Sequence, residues 1–275
     1  MTGPPTPTET VRLLARAARS EGLGFLAAAI AYYAFVSIVP LTLLALAVAS
    51  VLGGEVLASA VRAAVTGVLT PEAAALLEDA VASGAGRGSA TLAGLLVLAW
   101  GSLRLFRGLH AAFGRIYGTP GRASLARQLR DAVVTLVAIG IAVGVLAVVL
   151  AVVARPSVPY GTVIAPVASA ALLPVAFFPL YYVLPAVPIP PREAIPGALL
   201  AGLGWTVLGW GFALYTTYAA TASVYGAIGT VLLVLTWFYA GSVVVLLGAV
   251  LNAVRSGRIE DRQVQQVAGR DTPHE

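Results

Sequence analysis

The chain has 275 residues, of which 59% are hydrophobic and only 11% charged, and its net charge is +5. Charged residues supply about 25% of an ordinary soluble domain, so this composition excludes that class of protein. The chain has no cysteine, which excludes disulfides, thiol catalysis and thiolate metal sites. The basic excess fits attraction to anionic lipid headgroups, and we expect no nucleic-acid partner.

Six long apolar stretches follow one another along the chain. Each reaches the roughly 20 residues that a helix needs to cross a hydrocarbon core about 30 Å thick. The stretches are Phe25–Leu52, Ala90–Leu109, Ala132–Ala154, Thr162–Leu184, Ile195–Tyr218 and Ala227–Ala253.

Arginines are distributed unevenly between these stretches. All 17 basic residues are arginine, and only Arg62, Arg87 and Arg155 lie in the first, third and fifth gaps. The other fourteen lie before the first stretch, around the second and fourth gaps, and after the last stretch. Cytoplasmic segments of membrane proteins carry the excess of Arg and Lys. We therefore predict an all-α, polytopic protein with six transmembrane helices, located in the plasma membrane with both termini cytoplasmic.

Two segments outside the predicted spans have patterns of their own. The N-terminal arm has an amphipathic helical pattern with arginines on its polar face, which predicts a helix on the cytoplasmic headgroups. The segment after the first span has two helical patterns, the second opened by Thr70-Pro71-Glu72, and we predict an extracytoplasmic two-helix cap. The predicted organisation is a cytoplasmic arm (1–22), a transmembrane domain (23–254) with its external insert (53–89), and a polar cytoplasmic tail (255–275).

The fourth stretch is rich in proline. The segment from Pro156 to Pro191 holds nine of the chain's 17 prolines. Proline-interrupted helices mark substrate sites in many transporters, and the alternative is a kinked structural helix. A re-entrant segment would place the C-terminal arginines outside, so the arginine distribution favours a full crossing over a partly re-entrant one.

Glycines in spans three and five predict close helix packing. Gly140 and Gly144 form a Gly-x₃-Gly pattern, and span five carries Gly197, Gly202 and Gly204. Small residues at such spacing let helix backbones approach one another. We favour packing within one bundle over a seam between two copies, and a homo-oligomer stays an alternative.

The sequence has little that could support catalysis. His110 and His274 are its two histidines, and the twelve acidic residues lie outside the apolar cores. A hydrolytic metal site needs convergent carboxylates or histidines. We therefore expect no catalytic residues, no metal, no cofactor and no enzymatic activity.

Arg104, about 14 residues into span two, is the charge that lies deepest in a predicted span. It either extends its long side chain to the interface or contacts an anion such as a lipid phosphate, since charge at depth is costly and often functional. Pro40 frees a backbone carbonyl in span one. With Arg104, the candidate contacts to a substrate or lipid are Tyr32, Ser37, Pro40, Tyr181 and Tyr182.

Several short runs resemble the BrkB/YihY family of prokaryotic inner-membrane proteins, and the similarity covers about residues 20–256. The resemblance rests on these runs: Ala31-Tyr32-Tyr33 with Ser37 and Pro40, Trp100, Ala112-Phe113, Ile116-Tyr117, Leu184-Pro185, Pro196-Gly197-Ala198 with Trp205, Tyr225-Gly226-Ala227-Ile228-Gly229, Trp237-Phe238-Tyr239 and Leu246-Leu247-Gly248-Ala249.

The resemblance implies six transmembrane helices and a plasma-membrane location, but no particular biochemical activity. Some members carry a ribonuclease label, for which this sequence gives no chemical reason. The chain departs from many members at Val250, where they have Glu, and at Tyr182-Val183, near which they have Arg. We interpret Tyr225 and Gly226 as a structural turn, because glycine permits a tight reversal and an aromatic ring anchors it at the interface.

Three functions follow from these observations, in order of preference. The first is the transport or handling of an amphipathic substrate, such as a lipid or envelope precursor, which suits the mild polarity inside the predicted spans. The second is a scaffold that docks a partner without transporting anything. A membrane-associated ribonuclease is a distant third.

Overall fold

A computed structural model describes residues 12, 14–16, 19–20, 22–52, 104–119, 125–153, 161–219 and 226–258, with only the backbone described at some helical positions such as 38–52. The predicted cap (53–89), Tyr225 and most of the predicted tail lie outside these ranges. Within them every regular element is a helix and no strand occurs, which confirms the all-α class for this part of the chain.

Six helices make up most of the described part of the chain. The bounds are α1 Leu23–Leu52, α2 at residues 104–116, α3 Leu125–Val153, α4 Gly161–Val183, α5 Pro191–Ala219 and α6 Gly226–Arg255. At 1.5 Å per residue, the 23 residues of α4 extend about 34 Å, which exceeds the thickness of a hydrocarbon core.

Four of the helices contain a stretch long and apolar enough to cross a membrane, and a shorter apolar stretch covers Leu23–Ser37 of α1. The four stretches are Arg130–Leu150, Val163–Val183, Pro191–Tyr215 and Val231–Arg255. They correspond to the third to sixth predicted spans, and α1 to the first. Most of the second predicted span precedes residue 104 and lies outside the described residues.

The outer face of α3 is apolar. Val133, Val137, Ile141 and Val148 recur at helical spacing, and they are 53–64% exposed. A soluble protein rarely leaves so continuous an apolar strip in water, whereas in a bilayer the same strip contacts lipid chains.

Glycines end the shorter helical segments. Gly22 has a φ of 65° and separates the helical residues of the N-terminal arm from α1. Gly118, with a φ of 73°, follows α2, where the Thr119 N–H donates to the Gly114 carbonyl at 2.7 Å and the Gly118 N–H to Arg115 at 3.2 Å. These two bonds form a Schellman motif, in which glycine takes the left-handed conformation without a steric penalty. The motif holds residues 117–119 in a defined loop.

The prolines of α4 do not interrupt it. Pro166, Pro174 and Pro179 all lie inside one continuous helix. Pro174 packs against Gly202 of α5, where any side chain would overlap the proline ring. Proline removes a backbone hydrogen bond and crowds the preceding turn, and here the neighbouring helix fits closely against the altered surface. The helix is therefore continuous and packed at its prolines, which favours a structural role for them over an interruption of the helix.

The described residues form two compact units. The first takes those within 1–28, 106–218 and 240–275, and the second those within 29–105 and 219–239. In the first unit α3 packs against α4.

Candidate functional site

In the second unit, Arg104 lies against an aromatic pair on α1. Its Nη1 donates to the Tyr33 hydroxyl at 3.4 Å, and its guanidinium carbon lies 6.0 Å from the centre of the Tyr33 ring. Tyr32 meets Tyr33 edge-to-face with ring centres 5.4 Å apart, and Tyr32 is 56% exposed. The structure thus places an exposed cation beside two tyrosines, an arrangement suited to an anionic headgroup with its adjoining apolar part.

Ser37 and Pro40 lie on the same helix as this pair. Ser37 is buried, and its hydroxyl donates to the Tyr33 carbonyl at 2.8 Å, one turn back along α1. That bond satisfies the buried hydroxyl within α1, and bonds of this kind slightly destabilise and often bend a helix. Pro40 lies inside α1 with only its backbone described.

The two candidate tyrosines of α4 have different environments. Tyr181 is fully buried in the first unit, and its hydroxyl donates to the Val245 carbonyl of α6 at 2.7 Å. Its ring also contacts Phe113 of α2 at 5.8 Å between ring centres. Tyr182 is 45% exposed and stacks on Phe178. Of the two, only Tyr182 has a surface open to a ligand or lipid.

Asn252 of α6 joins α6 to α5 and is 1% exposed. Its Oδ1 accepts from the Gly197 N–H at 2.7 Å, and its Nδ2 donates to the Ala194 carbonyl at 3.3 Å. Pro196, which lies between these two bonded residues, has no backbone N–H, and α5 is continuous through it. Sequence reasoning missed Asn252, although it is the chain's only asparagine and lies in an apolar stretch.

Three glycines allow the close approach of α4, α5 and α6. A side chain at Gly197 would lie 2.5 Å from the Gly248 carbonyl oxygen, and one at Gly248 would meet the Tyr181 hydroxyl. A side chain at Gly241 would lie 2.6 Å from the Trp205 ring, whose Nε1 donates to the Gly241 carbonyl at 3.3 Å. In this part of the first unit, the backbone at each glycine therefore lies directly against side chains or carbonyl groups of a neighbouring helix.

Asp131 corrects the expectation that every acidic residue lies outside the apolar cores. It is 2% exposed, and its carboxylate pairs with Arg130 at 3.2 Å and Arg127 at 3.7 Å. Because α3 begins at Leu125, before the predicted start of the span, Asp131 lies inside the helix, four residues before the buried Thr135. Burial lowers the pKa of His110 on α2, the charge of Asp131 raises it, and Arg127 lowers it. Burial is the largest of these effects, so His110 is neutral at pH 7.

The described residues contain no group of three or more His, Cys, Asp or Glu side chains that could hold a metal ion. The polar clusters just described consist mainly of hydroxyl, amide and guanidinium groups. Such groups bind and position an oxygen-rich ligand.

Comparison with known proteins identifies the family. The family model described as virulence factor BrkB matches residues 14–272. A UPF0761 membrane protein of Pseudoalteromonas translucida is 29% identical over 243 residues, which is 84% of this chain and 81% of that protein. A UPF0761 membrane protein of Enterobacter is 40% identical over 75 residues, 27% of this chain and 26% of that protein.

A Bacillus subtilis protein named as ribonuclease-like is 32% identical over 87 residues. That match spans 31% of this chain and about a third (32%) of the relative's length. No solved structure matches the chain. The match to the family model begins within the N-terminal arm, at residue 14, and covers all six described helices and most of the predicted tail, and it confirms the resemblance seen in the sequence. With its long apolar helices, the chain is a multi-pass membrane protein and belongs to the family of the virulence factor BrkB.

Proposed function

We propose that this protein binds and handles an anionic amphipathic substrate, such as a lipid or an envelope precursor, in the plasma membrane. The observation that carries the proposal is the contact of Arg104 with Tyr33, next to the exposed Tyr32. A guanidinium group pairs with phosphate or carboxylate oxygens. The tyrosine rings offer apolar surface to the part of the substrate that follows the headgroup.

The proposed topology is six membrane spans with both termini cytoplasmic. It is supported by the fourteen-to-three distribution of arginines and by the four described helices that are long enough to cross. A reporter active only in the cytoplasm, fused after Gly84 or after Gly121, tests it. We expect activity at Gly121 and silence at Gly84, and the reverse at either position would refute the topology.

The substrate proposal is tested by Arg104→Gln, with Arg107→Gln as the matched control. Both arginines are exposed, and both changes remove one positive charge. Since an exposed ion pair contributes about 0–1 kcal/mol, we expect Arg104→Gln to lower the retained phosphatidylglycerol by about 2- to 5-fold in native mass spectrometry. Equal retention by wild type and both variants would contradict the proposal.

A second candidate function, a non-transporting scaffold, is favoured by the close packing around Tyr181 and Gly248. Reconstitution in liposomes separates the two functions. Faster transbilayer movement of fluorescent phosphatidylglycerol than in protein-free vesicles supports transport, and equal rates support the scaffold. Ribonuclease activity is the least supported, because the described residues contain no cluster of metal-ligating side chains.

A further inference from the structure

The exposed side chains of α5 form one stripe along the helix. Its apolar members recur every four residues and are 44–65% exposed: Ile195, Leu199, Leu203 and Val207. Ala194 and Ala201, on the opposite face, are both 0% exposed. Because residues four apart lie on the same side of a helix, the stripe is a single surface turned away from the rest of the first unit.

The two ends of this stripe differ in chemistry from its middle. Arg192 is exposed in the first turn of α5. Towards the other end, Trp210 is 60% exposed, and Tyr215, on another side of the helix, is 54% exposed. An exposed arginine complements the charge of lipid phosphate groups. Tryptophan and tyrosine are enriched where a membrane meets water, because each ring has an apolar body and a polar group.

The spacing of these groups matches the thickness of a bilayer. At 1.5 Å per residue, Trp210 lies about 27 Å and Tyr215 about 35 Å along α5 from Arg192. The hydrocarbon core is about 30 Å thick, so the two aromatic residues lie on either side of its far edge. A helix tilt of about 20° shortens the two distances to about 25 and 32 Å, which still bracket that edge.

We propose that a phospholipid bilayer covers this stripe of α5, with Arg192 at the headgroups of one leaflet and Trp210 and Tyr215 at those of the other. A bilayer is the occupant because the stripe changes from charged to apolar to aromatic over the distance at which a bilayer changes in the same way. Leu203 then lies near the bilayer centre. The inference goes beyond the proposed function, since it involves no residue around Arg104, and beyond the proposed topology, since it sets a depth in either orientation.

The experiment measures that depth with spin labels in the full-length protein. The chain has no cysteine, so single cysteines can be introduced and labelled at three exposed positions, as Ile195→Cys, Leu203→Cys and Leu214→Cys. Each variant is reconstituted in vesicles of phosphatidylethanolamine and phosphatidylglycerol. Collisions with oxygen, which concentrates at the bilayer centre, and with a water-soluble nickel complex then report the depth of each label.

We expect the label at Leu203 to be the deepest of the three. The label at Leu214 should be about 16 Å and the label at Ile195 about 12 Å shallower, towards opposite leaflets. A label at Leu214 as deep as at Leu203, or nickel collisions as frequent at Leu203 as at Leu214, would overturn the proposal. Exclusion of both reagents from Leu203 would also overturn it, because a protein partner or a second copy of the chain would then cover the stripe.

A second measurement places Trp210 without a label. Trp210→Phe removes one exposed indole, and the difference in fluorescence quenching between wild type and variant reports Trp210 alone. We expect stronger quenching by lipids brominated close to the headgroup than by lipids brominated close to the chain end, and the reverse order would overturn its position. Neither result affects the lipid retention measured with Arg104→Gln, so this inference and the proposed function can fail separately.

Discussion

Asn252→Ala is the sharpest test of the packing between α5 and α6, because it removes both hydrogen bonds of this buried amide. Interhelical hydrogen bonds in a bilayer average about 0.6 kcal/mol each, so the two bonds together contribute about 1 kcal/mol. The substitution also leaves the Gly197 N–H buried without this acceptor, and a buried donor without a partner costs about 1–3 kcal/mol. These two estimates are not added, because both include the hydrogen bond between the Gly197 N–H and Asn252 Oδ1. We therefore expect the free energy of unfolding to fall by about 1–3 kcal/mol.

The assay is unfolding of the purified protein in mixed micelles of increasing SDS content, followed by the fluorescence of its four tryptophans. Ser256→Ala is the matched control, because the Ser256 hydroxyl donates to the Ala253 carbonyl at 3.2 Å, a local bond at the C-terminal end of α6 rather than a bond between helices. We expect Ser256→Ala to change the unfolding free energy by less than about 0.5 kcal/mol. If Asn252→Ala unfolds at the same SDS fraction as the control, Asn252 does not stabilise the contact between α5 and α6, and the reasoning is refuted.

Two further expectations concern stability. Gly248→Ala should destabilise the protein by about 1–3 kcal/mol, because the new methyl group meets the Tyr181 hydroxyl and lies 2.7 Å from the Gly197 carbonyl oxygen. Gly140→Ala, which meets no described atom within 4 Å, should be neutral or stabilise α3 by up to about 1 kcal/mol. The same SDS titration measures both, and similar effects at the two glycines would contradict the packing described here. For His110, whose pKa is lowered by folding, the unfolded chain binds protons first as the pH falls below about 6.5. Stability should therefore decrease as the pH falls below about 6.5, and His110→Gln should flatten that decrease; a pH profile identical in wild type and the variant would exclude the effect.

Much of the architecture could be predicted from hydropathy and arginine distribution. The third to sixth predicted spans correspond to α3–α6, because a helix in lipid must satisfy its own backbone and must be long enough to cross. The family was recognisable from short runs of aromatic and glycine residues. By contrast, the start of α3 could not be predicted, since polar residues before a span give no hydropathy signal even where they continue the helix.

The candidate site was less predictable. Tyr181 and Tyr182 are neighbours in sequence with the same side chain, but one is fully buried and the other 45% exposed. Successive helical residues point in directions about 100° apart, so only the packing partners of α4 determine which of them is buried. Asn252 bonds to Gly197 and Ala194, which are distant in sequence, whereas the partners of the buried Asp131 lie one and four residues away. Their positions near span ends gave no indication of burial.

Glycines show most directly what sequence and tertiary structure each determined. By spacing alone, Gly140 and Gly144 predicted close helix packing as strongly as Gly197 and Gly202 did. In the structure the first pair is exposed and has no described atom in contact, whereas the second pair lies against neighbouring helices. The sequence by itself determined that these segments are helices, that they are apolar enough for a bilayer, and that the chain is a BrkB-family membrane protein. The tertiary structure decided which face of each helix is inside, because lipid-facing and core-facing residues are both apolar, and only packing against distant segments distinguishes them.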